Sequence, residues 1–201
     1  MIRPTGGSIL RMLIGYALWL IFVLAWNVSE RHTAPTIATP RRRRERRYLL
    51  VISAGLVMIV VAPVTLMAGR ILVNSLLLDW TGLSVIAAGV ALCWWARLHL
   101  GRLWSAAVTY KQGHRLVDSG PYRLVRHPIY TGFIMIYVGL AILCATVLAL
   151  AGAVVMTVGL WLKARLEEQF LFEELGPVIY GTYKTRTPML VPRMPRRPDA
   201  E

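Results

Sequence analysis

The chain has 201 residues, 56% of them hydrophobic, with a mean hydropathy of +0.54 and a formal charge of +13. A soluble globular domain does not suit that balance, because the apolar residues gather in long runs separated by basic polar stretches. The two cysteines, Cys93 and Cys144, both lie inside apolar runs, which excludes a disulfide framework and leaves packing as their role.

The apolar runs fall near residues 9–28, 48–69, 76–98 and 129–164. A hydrocarbon core of about 30 Å takes ~20 apolar helical residues, and each of the first three runs is roughly that long. The fourth is too long for one ordinary span and suits two short ones. An all-α integral membrane protein with about five transmembrane helices follows. Its last two helices form a tight hairpin that turns near Cys144-Ala145-Thr146. A cleaved signal peptide is the weaker reading of residues 9–28, since the run is long and ends in Asn27-Val28-Ser29-Glu30 rather than an evident small-residue cleavage site.

The block Arg41-Arg42-Arg43-Arg44-Glu45-Arg46-Arg47 precedes the second span. Such a run suits nucleic acid in a soluble protein. Between two membrane spans it reads instead as a cytoplasmic anchor touching anionic lipid headgroups, with no nucleic-acid partner. With loop 30–47 inside, the segment 70–79 falls outside, and residues 99–128 and the chain from Lys163 onward fall inside. The N-terminus is then outside and the C-terminus inside. Trp19, Trp26, Trp80, Trp94 and Trp95 serve anchoring and packing, and Pro63 marks a kink in the second span. Asp79 is a boundary residue that water or Arg70 satisfies.

This divides the chain into three N-terminal spans (1–98), a core (99–192) and a flexible basic tail (193–201). The core opens with a connector containing His99 and His114. Neither sits in an H-x-x-x-H or H-E-x-x-H spacing, so both read as surface histidines and no metal site is expected.

The densest polar stretch is Gly120-Pro121-Tyr122-Arg123-Leu124-Val125-Arg126-His127-Pro128-Ile129-Tyr130-Thr131-Gly132. Pro128 fits the first turn of a helix and biases His127 toward an extended conformation. His127 thus stands at the helix mouth, where backbone N–H groups favour an anion, with Arg126 adjacent and Tyr130 close by. Gly132 leaves room for close backbone approach. Further on, Glu167, Glu168, Glu173 and Glu174 are four of only ten acidic residues, on a helix that ends near Gly176. A polar, aromatic segment from Tyr180 to Pro192 follows.

Together these motifs resemble the isoprenylcysteine carboxyl methyltransferase family, within the wider group of membrane methyltransferases that includes phospholipid methylases. The resemblance covers roughly residues 97–192. It runs from Leu100-Gly101 through Leu116-Val117-Asp118-Ser119-Gly120-Pro121-Tyr122 and Arg126-His127-Pro128-Ile129-Tyr130-Thr131-Gly132. It then takes in Glu167-Glu168 and closes with Tyr180, Tyr183, Arg186 and Pro188.

The resemblance implies methyl transfer from S-adenosylmethionine at a cytoplasmic pocket, to a lipophilic acceptor arriving from the bilayer. By the family pattern Leu116, Val117, Gly120 and Tyr122 border the adenosine, and His127, Tyr130, Gly132 and Glu167 hold the rest of the cofactor. Carbonyl oxygens or aromatic faces suit its sulfonium. For a carboxylate acceptor, such as a prenylcysteine or another isoprenoid acid, Arg126 and Arg186 are the orienting candidates and Glu168 fixes an arginine. For a phospholipid amine a base is required, and Glu168 is the candidate. Membrane sterol reductases share the Arg-His-Pro motif but carry Asn after the proline and an acidic residue after the glycine, where this chain has Ile129 and Phe133. A non-enzymatic membrane scaffold is the remaining alternative. It predicts that Arg126 and His127 lie far from Glu167 and Glu168.

Overall fold

The apolar runs become helices whose ends fall where the local chemistry stops them. The computed structural model describes residues 4–29, 36–38, 42–68, 75–101, 104, 110–111 and 116–192. Arg41, the side chains of Arg42, Arg43 and Arg44, Arg70, His114 and the tail from Arg193 lie outside the described residues. The expected headgroup contact of the arginine block lies largely outside with them.

Helix α1 spans Gly6–Ser29 and α2 spans Arg42–Val61. At Ala62–Ala68 the backbone tightens into a 3-10 helix beginning next to Pro63, whose missing N–H and ring oppose continued α-helix. Helix α3 runs Leu76–Leu100, and the short α4 (Pro121–Leu124) leads to α5, Pro128–Cys144. Ala145 takes a left-handed turn at φ 52°. Thr146 then caps α6 (Val147–Gly176) by accepting a hydrogen bond from the Ala149 amide. The expected hairpin turn therefore sits where the sequence put it. Gly176, at φ 77°, ends α6, and a π-helical turn at Pro177–Gly181 joins it to α7, Thr182–Arg186. Two connecting segments add a short antiparallel pairing, β1 (Thr36–Ala38) with β2 (Tyr110–Lys111).

Among the described residues four helical segments suffice, by length and composition, to cross a membrane, while α5 has 17 residues. At 1.5 Å per residue α5 is about 25 Å long and α6 about 45 Å. The last apolar run is thus one short helix and one long one, rather than two short ones. The difference follows from position. Helix α5 is central, packed against α3, α6 and α1, with Ile136, Leu140 and Leu143 fully enclosed. Helix α6 continues past the apolar stretch and carries its glutamates beyond it. On α1, Leu10, Leu13, Ile21 and Leu24 are all more than half exposed, as a lipid-facing surface requires.

Two antiparallel seams hold the bundle. Between α3 and α5, a Cβ on Gly89 would lie 2.6 Å from the Gly132 carbonyl oxygen, and one on Gly139 would lie 2.7 Å from that of Gly82. Between α2 and α6, Gly55 lies against Met156, Gly152 against Ile59 and Gly159 against Ile52. In lipid, where burying apolar surface gains nothing, close backbone approach through small residues drives helix association. Cys93 and Cys144 are buried within this packing. Asp79 is fully buried and paired with Arg11 at 2.9 Å, with the Ser8 hydroxyl donating to it at 3.0 Å. At the edge of α3, as expected, it is enclosed and takes partners from α1, while Arg70 lies outside the described residues.

Candidate active site

The seams bring the N-terminal end of α5 and the distal part of α6 together. His127 is the N-cap of α5, with φ −124° and ψ 63°, held outside the helix by the following proline. Its imidazole lies between two consecutive glutamates of α6. Nε2 is 3.3 Å from Glu168 Oε1, and Nδ1 is 3.8 Å from Glu167 Oε2. Successive helical residues diverge by about 100°, so a pair can straddle one side chain. That is how two adjacent glutamates reach the same histidine.

Arg126 completes the buried part. Its Nε donates to Glu168 Oε1 at 2.7 Å. Its guanidinium also donates to the carbonyls of Lys184 (3.0 Å) and Thr187. The backbone joins in: the Arg126 amide donates to Pro188 O at 2.8 Å and the His127 amide to Met189 O at 3.1 Å. The Thr131 hydroxyl reaches Leu190 O at 2.7 Å. One arginine therefore fastens the segment after α7 onto the mouth of α5. The carboxylate at that mouth is Glu168, held by the Arg126 and His127 side chains.

Exposure rises outward from this centre. The Glu168 side chain is 2% exposed, His127 7%, Arg126 8%, Glu167 31% and Lys184 50%. Lys184 Nζ lies 3.3 Å from Glu168 Oε2. Tyr130 donates to Glu167 Oε2 at 2.7 Å, and its ring lies parallel to His127 with centroids 5.3 Å apart. Lys163, one helical turn before Glu167, holds its ammonium 5.3 Å from the Tyr130 ring and 5.8 Å from the ring of buried Tyr48 on α2.

On the α3 side, Gly120 has φ 56°, and a Cβ there would lie 2.7 Å from the His99 ring. Both facts require glycine at this turn. His99, exposed as expected of a surface histidine, hydrogen-bonds Ser119 Oγ at 2.9 Å. Tyr122 is buried, and its carbonyl accepts from Tyr183 at 2.6 Å. Burial, with Glu167 next, holds the Tyr122 hydroxyl well above its ordinary pKa, so it stays protonated. Leu116 and Val117 are half-buried in the extended segment before this turn, and Val117 packs against the core.

The structure thus brings together Arg126, His127, Tyr130, Glu167 and Glu168, with Tyr122 joined through Tyr183. The separation that a non-enzymatic scaffold predicts is not found. Gly132 lies in the α3–α5 seam, where a Cβ would sit 2.5 Å from Cys93 Sγ. Arg186 is exposed and forms no ion pair among the described residues. Sequence reasoning missed Tyr48, Lys163 and Lys184. For Lys163 the i, i+4 spacing to Glu167 was an available signal. Tyr48 carries none, because only the α2–α6 seam brings it to Glu167.

The isoprenylcysteine carboxyl methyltransferase family model matches residues 80–173, which contain the Arg126–Glu168 centre. Over that stretch, just under half of its length, the chain is similar to this family. It is a multi-pass membrane protein. The chain is 33% identical over 114 residues to protein-S-isoprenylcysteine O-methyltransferase B of Arabidopsis thaliana, covering 55% of this chain and 57% of that one. A probable protein-S-isoprenylcysteine O-methyltransferase of Oryza sativa subsp. indica is 26% identical over 165 residues, 80% of this chain and 68% of that one. The cobalt-zinc-cadmium resistance protein CzcN of Cupriavidus metallidurans is 33% identical over 98 residues, covering 47% and 44% of the two chains. The chain thus spans less than two thirds of the Arabidopsis methyltransferase B and of CzcN.

Proposed function

We propose that the protein is an integral membrane methyltransferase that moves a methyl group from S-adenosylmethionine to a lipophilic carboxylate of the prenylcysteine type. The observation that carries this reading is the convergence of Arg126, His127 and Tyr130 with Glu167 and Glu168 inside the family-matched region. The donor set fits the cofactor. Glu167, part-exposed, offers a carboxylate to an ammonium group, and the tyrosine faces beside it already lie next to a cation, Lys163. When bound, the cofactor supplies an electrophilic methyl on a positively charged sulfur. His127, Tyr130 and Glu167 hold its amino-acid part, while Leu116, Val117, Gly120 and Tyr122 border the adenosine. Gly132 contributes by keeping α3 against α5.

The partners of Glu168 favour a carboxylate acceptor over an amine. Its Oε1 takes Arg126 and His127, and its Oε2 takes Lys184. A carboxylate so fully engaged is a poor base. Methylating a carboxylate needs none: its oxygen forms the new bond to the methyl carbon and the carbon–sulfur electron pair stays on sulfur. The protein's task is then positioning donor and acceptor in line. Arg186, exposed beside the site, orients the acceptor. Arg126 acts mainly by fixing Glu168 and the 184–190 segment.

The N-terminal ends of α2 and α5 both lie at the site's end of the bundle, and the sequence before each is basic, which supports a cytoplasm-facing site, an outside N-terminus and an inside C-terminus. The test is transfer of methyl label from S-adenosylmethionine to N-acetyl-S-farnesylcysteine by the purified protein in lipid vesicles. Labelled methyl ester is the expected product. Label appearing only in phosphatidylethanolamine would replace this acceptor with an amine, and absence of any transfer would count against the reaction class.

A further inference from the structure

Helix α2 contributes to the site although it lies outside residues 80–173. Tyr48 is 4% exposed, on the face of α2 that meets α6. Its ring and the Tyr130 ring lie 5.8 and 5.3 Å from the Lys163 ammonium, both inside the ~6 Å range of a cation–π contact. Glu167, held by the Tyr130 hydroxyl at 2.7 Å, adds a carboxylate next to the same rings. Two aromatic faces and one carboxylate around a point make a receptor for a cation. The cation there now belongs to the chain.

We infer that Tyr48 and Tyr130 form a cation-binding cage for the sulfonium of S-adenosylmethionine, and that Lys163 is a built-in competitor displaced when the cofactor binds. This rests on the methyltransferase reading above. Lys163 is part-buried, and a lysine can carry its ammonium toward solvent or headgroups while its stem stays packed. After transfer the cofactor product carries a neutral thioether, which gains nothing from aromatic faces. Lys163 is then the better occupant. The cage favours the charged donor over its spent form, and the lysine helps to expel the latter.

The test compares the dissociation constants of S-adenosylmethionine and S-adenosylhomocysteine, which differ in the charge and the methyl, by calorimetry on purified protein in detergent. Tyr48→Leu removes one aromatic face. It is expected to weaken S-adenosylmethionine binding about fivefold to tenfold while leaving S-adenosylhomocysteine within about twofold. Tyr48→Phe keeps the ring and the wild-type ratio of the two constants. Lys163→Met removes the competitor and shifts the ratio several-fold toward S-adenosylmethionine, giving a second reading if Tyr48→Leu does not fold. Wild type that binds both ligands, with a ratio unchanged in Tyr48→Leu or in Lys163→Met, overturns the cage and leaves the methyltransferase reading standing. Wild type that binds neither ligand overturns both.

Discussion

The bundle holds a buried acid–base pair at each end, and the two are built differently. At the end away from the site, Asp79 is sealed at 0% exposure, and its partners include Arg11 and Ser8 of α1. At the site, Glu168 is nearly as buried, but its partners come from the segment leading into α5 and from α7, and they grade outward to half-exposed Lys184. The first arrangement locks two helices together. The second joins a buried charge to an exchangeable surface, as a site must when ligands arrive and leave. Burial of charge thus does not itself mark function; a route from the buried charge to solvent does.

Breaking the site pair should have the largest effect. Arg126→Ala strands Glu168 and releases the carbonyls of Lys184 and Thr187, so a loss of about 3–5 kcal/mol is expected. Thermal unfolding in detergent would measure it, and limited proteolysis should cut within residues 183–190. Arg11→Ala comes next, at roughly 2–3 kcal/mol, because Asp79 loses the Arg11 guanidinium but keeps Ser8. S-adenosylhomocysteine affinity should not change. If it fell as far as in Arg126→Ala, the two ends would be coupled and the contrast between them lost. Replacing both partners, Arg11→Met with Asp79→Leu, should recover most of the stability. Lys184→Ala is the smallest in stability, under about 1 kcal/mol for so exposed a pair. A larger drop in its melting temperature would make Lys184 part of the lock, not of the exchangeable surface.

The sequence was most informative where one local rule decides the outcome. Run lengths located the helices, Ala145 and Gly176 fell at the expected turns, and Pro128 held His127 at the helix mouth. The family signature lies in the same place, so motif and geometry agreed on Arg126, His127, Tyr130 and the two glutamates. Less legible were contacts set by how helices dock. Asp79 lies one residue from Trp80 at the start of a span, and only the packing of α1 on α3 shows that it is interior. The partners of Arg126 are mostly backbone carbonyls, those of Lys184, Thr187 and Pro188, which carry no side-chain signal. Tyr48 enters the site through a glycine seam whose register no periodicity displays.

The backbone pairing of Arg126 and His127 with Pro188 and Met189 has a consequence for biogenesis. The ribosome makes that closing segment after every helix that it completes. Membrane insertion and site assembly are therefore separate events: the bundle can be delivered to the bilayer before its polar mouth is shut. During that interval the buried glutamate lacks the strap that fixes its arginine. A nascent chain arrested before Thr187 would be a correctly inserted protein with an unfinished centre.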